Sequence, residues 1–163
     1  MKERGFTLIE IMLVLAVIGI IATVTLPKYQ AVMDYYHLES SAQTVIGQLR
    51  YAKQLALDQR KEIYLAMDRT SVEVIDGDDK EYGGAQSLDS GVNFDASGAE
   101  SQGLMINAGK AKGLPYVAYD ARGFVENSPG SNGKINIVLS AVRTGSSVVI
   151  VLEIQTGNIT VQW

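Results

Sequence analysis

GFTLIEIMLVLAVIGIIATVTLPKYQ, residues 5–30, is almost wholly apolar from Phe6 to Leu26, with Glu10 its only charge. At about 1.5 Å per helical residue this run spans roughly 30 Å, the thickness of the hydrocarbon core of a bilayer. A soluble helix rarely stays apolar on every face for so long. Lys2 and Arg4 stand before the run and Lys28 is the first charge after it. An ordinary secretory signal would end in a small-x-small cleavage site. Here the run leads instead through Pro27 into a polar helical segment. Glu10 stands one turn inside the apolar run, where a charge is costly and has a partner or a job.

The order of Arg4-Gly5-Phe6-Thr7-Leu8-Ile9-Glu10, a basic leader followed by an apolar helix, resembles the processing site of type IV pilins and of the pseudopilins of type II secretion. That resemblance implies cleavage between Gly5 and Phe6 by an inner-membrane prepilin peptidase, then methylation of the new Phe6 amine. It also implies that Glu10 attracts the positively charged Phe6 amine of a neighbouring subunit during assembly. Each group alone is costly in a low-dielectric bundle, and pairing them offsets both penalties and sets the axial register. Loss of Met1–Gly5 leaves 12 of the 14 basic and 17 of the 18 acidic residues, a formal net charge of -5. Before cleavage the two leader cations would hold it on the cytoplasmic side. The chain is then expected to cross the bacterial inner membrane once, with its head in the periplasm, and to end periplasmic or extracellular in a filament.

Pro27 removes one backbone donor and is expected to kink the helix at the membrane exit; pilins commonly carry proline there. Beyond it Leu38, Ala42, Val45, Leu49, Ala52 and Ala56 recur at spacings of four and three, one apolar stripe on an amphipathic helix. The helix is expected from Phe6 to about Gln59. After Arg60 the period changes. Residues 63–67 and 71–75 read as a hairpin, residues 76–113 as loop with weak strands at 92–94 and 104–106, and residues 116–119 as a strand. Lys134–Ser140 alternates strictly, Val148–Ile154 reads as a strand buried on both faces, and Gln155-Thr156-Gly157-Asn158 turns into Ile159–Gln162. The expected fold is α+β and type IV pilin-like, a long N-terminal helix packed on a C-terminal antiparallel sheet. Its segments are a leader (1–5), a transmembrane half-helix (6–27), an amphipathic half-helix (28–60) and a β-rich head (61–163).

Leu49–Ala56, Ile63–Ala66, Tyr119-Asp120-Ala121-Arg122-Gly123-Phe124, Lys134–Ser140 and Val148–Val161 together look like the GspH/FimT group of minor pilins and pseudopilins. The resemblance implies a subunit at or near the tip of a type IV pilus or a type II secretion pseudopilus. It would assist filament initiation with other pilin subunits and an inner-membrane assembly platform. A major pilin of the shaft and an adhesive or DNA-binding tip pilin are the alternatives. Members of the group that take up DNA carry a basic C-terminal motif, whereas no basic residue follows Arg143 here. Without clustered Lys or Arg, phosphate-backbone binding loses its main driving force.

The rest of the chain offers little to catalysis. It has 163 residues, a net charge of -4, one His and no Cys, which excludes disulfides and thiolate chemistry and leaves little for a transition metal. Asp76-Gly77-Asp78-Asp79 could hold calcium but lacks EF-hand spacing and its bidentate Glu. Ser140, Ser146 and Ser147 have only the distant His37 as a base. Neither a cofactor, a metal nor an enzymatic activity is expected.

Overall fold

Helix α1 runs from Leu8 to Gln59 without a break. The computed structural model describes residues 6–97, 102–107, 109–126 and 132–163. The chain forms two compact units, one ending at Met33 and the other comprising Asp34–Trp163, and α1 contributes to both.

In the second unit the expected stripe is the buried face. Leu38, Ala42, Val45, Leu49, Ala52 and Ala56 are all buried, joined by Ile46. Leu49 alone is worth about 1.5–3 kcal/mol of burial. The stripe shares one hydrophobic core with residues of eight strands' worth of sheet. These strands are β1 (Ile63–Met67), β2 (Ser71–Asp76), β3 (Glu81–Ser87), β4 (Val92–Phe94), β5 (Tyr116–Tyr119), β6 (Lys134–Ala141), β7 (Ser147–Glu153) and β8 (Ile159–Gln162).

The strands form two antiparallel four-stranded sheets, ordered β3-β2-β1-β5 and β4-β6-β7-β8. The sequence reading had one sheet; the break falls where the β1–β2 turn meets β4, with Phe94 N–H donating to the Arg69 carbonyl at 2.8 Å. Strict alternation in β6 puts Ile135, Ile137 and Leu139 into the core opposite Leu152, Ile150 and Val148 of β7.

Two expectations differ from the structure. The 76–113 region contains β3, whose sequence EYGGAQS hides a strand because Gly83 and Gly84 take positive φ of 79° and 72°. Such angles suit glycine and break regular alternation. Residues 104–106 instead contribute only an isolated bridge, Met105 to Tyr116. Burial on both faces is complete in β1 and β5, every residue of which is buried. The outer face of β1 carries Tyr64 and Ala66, covered by Ala111, Met105 and Leu114 in a second small core. In β7 the end residues Ser147 and Glu153 are open to solvent or half-buried.

Candidate assembly interface

The N-terminal turn shows how the apolar run becomes a helix. Thr7 lies just before α1, and its carbonyl accepts from the N–H groups of Glu10 (3.1 Å) and Ile11 (3.3 Å). Its Oγ1 also lies 3.4 Å from the Glu10 N–H. Thr7-x-x-Glu10 is thus a helix-start signature, with the hydroxyl a second, longer acceptor for the Glu10 N–H beside the Thr7 carbonyl. The sequence reading took Glu10 as an intramembrane charge and missed this local role, although the Ser/Thr-x-x-Glu spacing carries it. An acidic side chain in the first turn is further stabilised by the helix dipole, by about 0.3–1 kcal/mol at a surface.

Glu10 is exposed and, among the described residues, has no cationic partner. Phe6 is exposed as well. Gly5 and the rest of the expected leader lie outside the described residues. Pro27 falls inside α1, which continues through it.

From Phe6 to Leu26 nearly every large apolar side chain is exposed, and none of the most apolar stretch is buried within the subunit. By length and composition this helix can cross a membrane. The two threonines at the end of the run cost little in an apolar surrounding. Thr23 Oγ1 donates to the Ile20 carbonyl at 2.7 Å, and Thr25 Oγ1 to that of Ile21 at 2.9 Å. A surface of this kind demands lipid or other helices.

The sites weighed for other chemistry are committed to structure. Asp76 is buried, and its Oδ1 accepts from the N–H groups of Asp78 (3.0 Å) and Lys80 (3.1 Å). Its Oδ2 lies 3.0 Å from the Tyr82 hydroxyl and 3.6 Å from Lys61 Nζ. Burial works to raise its pKa, but the backbone donors, Tyr82 and Lys61 outweigh burial and hold it below the usual carboxylate range. The acidic turn is therefore closed around its own backbone. His37 Nδ1 lies 3.9 Å from Asp89. Among the described residues no three His, Asp or Glu side chains come together as a metal site. A cleft of about 440 Å³ beside Arg69, Phe94 and Pro115 contains no His.

A cluster unseen in the sequence links distant segments on the outer face of the first sheet. Lys110 Nζ lies 3.2 Å from Glu62 Oε2, which also accepts from the Tyr64 hydroxyl. Burial works against the Glu62 charge, yet hydrogen bonds from Tyr64, Glu126 and Lys110 keep its pKa low. Glu126 is pushed the other way by burial and by the hydrogen bond and charge of Glu62. Burial, with Glu62 beside it, pushes the Tyr64 hydroxyl up to about 12.

Residues 1–26 match the family described as the prokaryotic N-terminal methylation motif. Fimbrial protein Q of Moraxella bovis is 47% identical over 51 residues, 31% of this chain and 30% of that protein. A type IV major fimbrial protein FimA of Dichelobacter nodosus is 35% identical over 77 residues, 47% of this chain and 49% of that protein. The chain thus matches half or less of the length of these relatives. The crystal structure of the type IV minor pilin FimU of Pseudomonas aeruginosa superimposes with a TM-score of 0.54 at 13% identity, covering 79% of this chain and 90% of that one. The methylation motif and the fimbrial relatives thus match the N-terminal part of the chain. The chain's fold is similar to that of the minor pilin FimU, a helix packed on antiparallel sheets.

Proposed function

We propose that this chain is a structural, non-catalytic subunit of a pilus-type filament, a minor pilin or pseudopilin that sits at or near the tip and helps initiate assembly. The observation that carries this is the apolar surface of Phe6–Leu26, exposed on every face and headed by a methylation motif. Prepilin peptidase removes the leader between Gly5 and Phe6, and the Phe6 amine is methylated. The helix first anchors the subunit in the inner membrane with its head periplasmic. An assembly platform then moves it into a filament, where the same surface packs on the helices of other pilin subunits. Glu10, without a cationic partner among the described residues, receives the Phe6 amine of a neighbour. Pro27 lacks the N–H of that helical turn, which gives the helix a place to bend.

The minor-pilin reading draws on the likeness of the fold to FimU, a type IV minor pilin. A second reading, a major pilin of the shaft, draws on the N-terminal matches to major fimbrial proteins. Intact mass of the protein made with and without a prepilin peptidase tests the class. Loss of Met1–Gly5 plus one methyl group, only with the peptidase, is the expected result; an unprocessed chain beside a competent peptidase refutes it. Immunogold labelling of sheared filaments separates the readings, with tip labelling expected and labelling along the shaft assigning the major role.

A further inference from the structure

One flank of α1 in the head borders a groove that has cations and an unpaired hydroxyl but no carboxylate. Arg50 and Lys53, neighbours on the helix surface, line a cavity of about 270 Å³ together with Tyr119 of β5 and Ile159 of β8. A second cavity of about 240 Å³ shares Lys53 and Gly157 with the first and is walled by Arg122, Phe124, Val125 and Ile154. No Asp or Glu lines either cavity.

The Lys53 ammonium lies where the two cavities meet, and Gly157 leaves it room. That glycine has a φ of +67°, and a Cβ on it would stand 3.2 Å from Lys53 Nζ. Among the described residues neither the Arg50 guanidinium nor the Lys53 ammonium has a partner. Arg122, by contrast, is held by Asp120 at 2.8 Å and lies over the Phe124 ring. Tyr119 is only 2% exposed, yet its hydroxyl has no hydrogen-bond partner among the described residues. Buried polar groups are almost always paired, so an orphaned hydroxyl on a residue that lines a cavity points to a ligand there. Burial alone pushes the Tyr119 pKa up, which keeps the hydroxyl a donor at neutral pH. Two free cations and one free O–H together call for an anionic acceptor.

We propose that this groove binds an acidic peptide segment of a protein partner, with one carboxylate held by Arg50, Lys53 and the Tyr119 hydroxyl, and an adjoining apolar side chain set against Phe124 in the second cavity. Charge complementarity selects the carboxylate. The second wall selects the peptide, because Phe124 is 57% exposed beside Val125 and Ile154 and a bare inorganic anion would leave it uncovered. A nucleic-acid backbone needs a row of cations along its length, and this groove offers two unpaired ones. The inference rests on the head alone and is independent of the filament assignment, so the failure of either leaves the other standing.

The test is calorimetric titration of the full-length protein in non-ionic detergent with the blocked peptide acetyl-Glu-Leu-Glu-Leu-amide. Sub-millimolar binding that weakens with added salt is expected. The neutral counterpart acetyl-Gln-Leu-Gln-Leu-amide, and inorganic phosphate, should each bind about tenfold more weakly. Arg50→Gln and Lys53→Gln should each weaken the acidic peptide by about fivefold, whereas Arg143→Gln, an equal loss of charge between β6 and β7, should leave its affinity unchanged. Tyr119→Phe keeps the ring that packs in the core. It should unfold no earlier than wild type, because its hydroxyl has no partner to lose, and should weaken the peptide by about fivefold. Absence of binding, equal binding of the neutral peptide or of phosphate, an equal effect of Arg143→Gln, or full affinity in Tyr119→Phe would each overturn the proposal.

Discussion

Lys110 and Glu62 are 48 residues apart in sequence, yet Lys110 Nζ donates to both Glu62 carboxylate oxygens, at 3.3 and 3.2 Å. This pair fastens the turn that covers the outer face of β1 to the start of that strand. Glu126 joins it from a third segment, with its backbone N–H on the Ala118 carbonyl at 2.9 Å.

Two carboxyls and one ammonium make the cluster sensitive to pH. The Glu126 pKa in the folded protein is raised above its ordinary 4.5, so its contribution is complete below that value and is lost as pH rises through the raised one. Glu62, held low, contributes in the opposite sense, above 4.5 and lost as pH falls through its lowered value. Glu126→Gln is neutral at all pH and still offers a donor to Glu62. Relative to the wild-type protein it should gain thermal stability between pH 4.5 and 7. Parallel unfolding curves for the two proteins across that interval would show that the carboxyls do not share a proton.

Asp76 supplies a second stability test. Its depressed pKa means stability present above 3.8 and lost as pH falls through the lower folded value. Asp76→Ala strands two backbone donors and the Tyr82 hydroxyl and should cost about 3 kcal/mol in chemical unfolding. Millimolar calcium should leave the midpoint of the wild-type protein unchanged, because these partners already occupy the carboxylate. A calcium-dependent rise that vanishes in the variant would return the loop to the metal-binding reading.

The helix and most strands were legible because their signals are periodic. The stripe from Leu38 to Ala56 and the alternation of Ile135, Ile137 and Leu139 require only that apolar side chains face one way. What stayed hidden is set by long-range geometry. Glu81–Ser87 reads as loop because two glycines interrupt it, and it is a strand only because β2 lies beside it. The division into two sheets depends on one turn meeting β4, which no local pattern encodes. The Lys110–Glu62–Glu126 cluster joins three segments, and the cavity at Tyr119 joins α1 to β5 and β8. Of the residues proposed for assembly, Phe6 and Glu10 were named by a motif, whereas the capping contact of Thr7 was present in the spacing and overlooked.

Gly123 is a position where the backbone leaves no room for a side chain. Its φ is +75°, and an added Cβ would stand 3.0 Å from Leu57 Cγ on α1. Gly123→Ala should therefore cost about 1–3 kcal/mol, from backbone strain and the contact together. Leu57 is partly exposed, so Leu57→Ala alone should cost less than that core value of about 2–5 kcal/mol. In the double variant the contact is relieved, and the two costs should sum to less than their separate total. Strict additivity in a double-mutant cycle would assign the whole effect to φ and none to the approach of helix and turn.

Thr7 and Glu10 can be separated by experiment because they act at different stages. As a cap, Thr7 stabilises the first helical turn of the subunit itself; Thr7→Ala should fray that turn at a cost of about 0.5–2 kcal/mol. Thr7→Ser keeps the hydroxyl and should behave as wild type. Glu10→Gln keeps a similar shape in the first turn and removes the charge. On the assembly reading it should leave the anchored subunit folded and membrane-bound, with unchanged thermal unfolding of the head, while incorporation into filaments falls by tenfold or more, about 1.4 kcal/mol of lost pairing. Glu10→Asp should recover part of that loss. Quantifying the subunit in sheared filaments against the membrane fraction reads all four variants together. If Glu10→Gln assembles as well as wild type, the carboxylate serves the helix start alone, and the axial register must come from packing of the apolar faces.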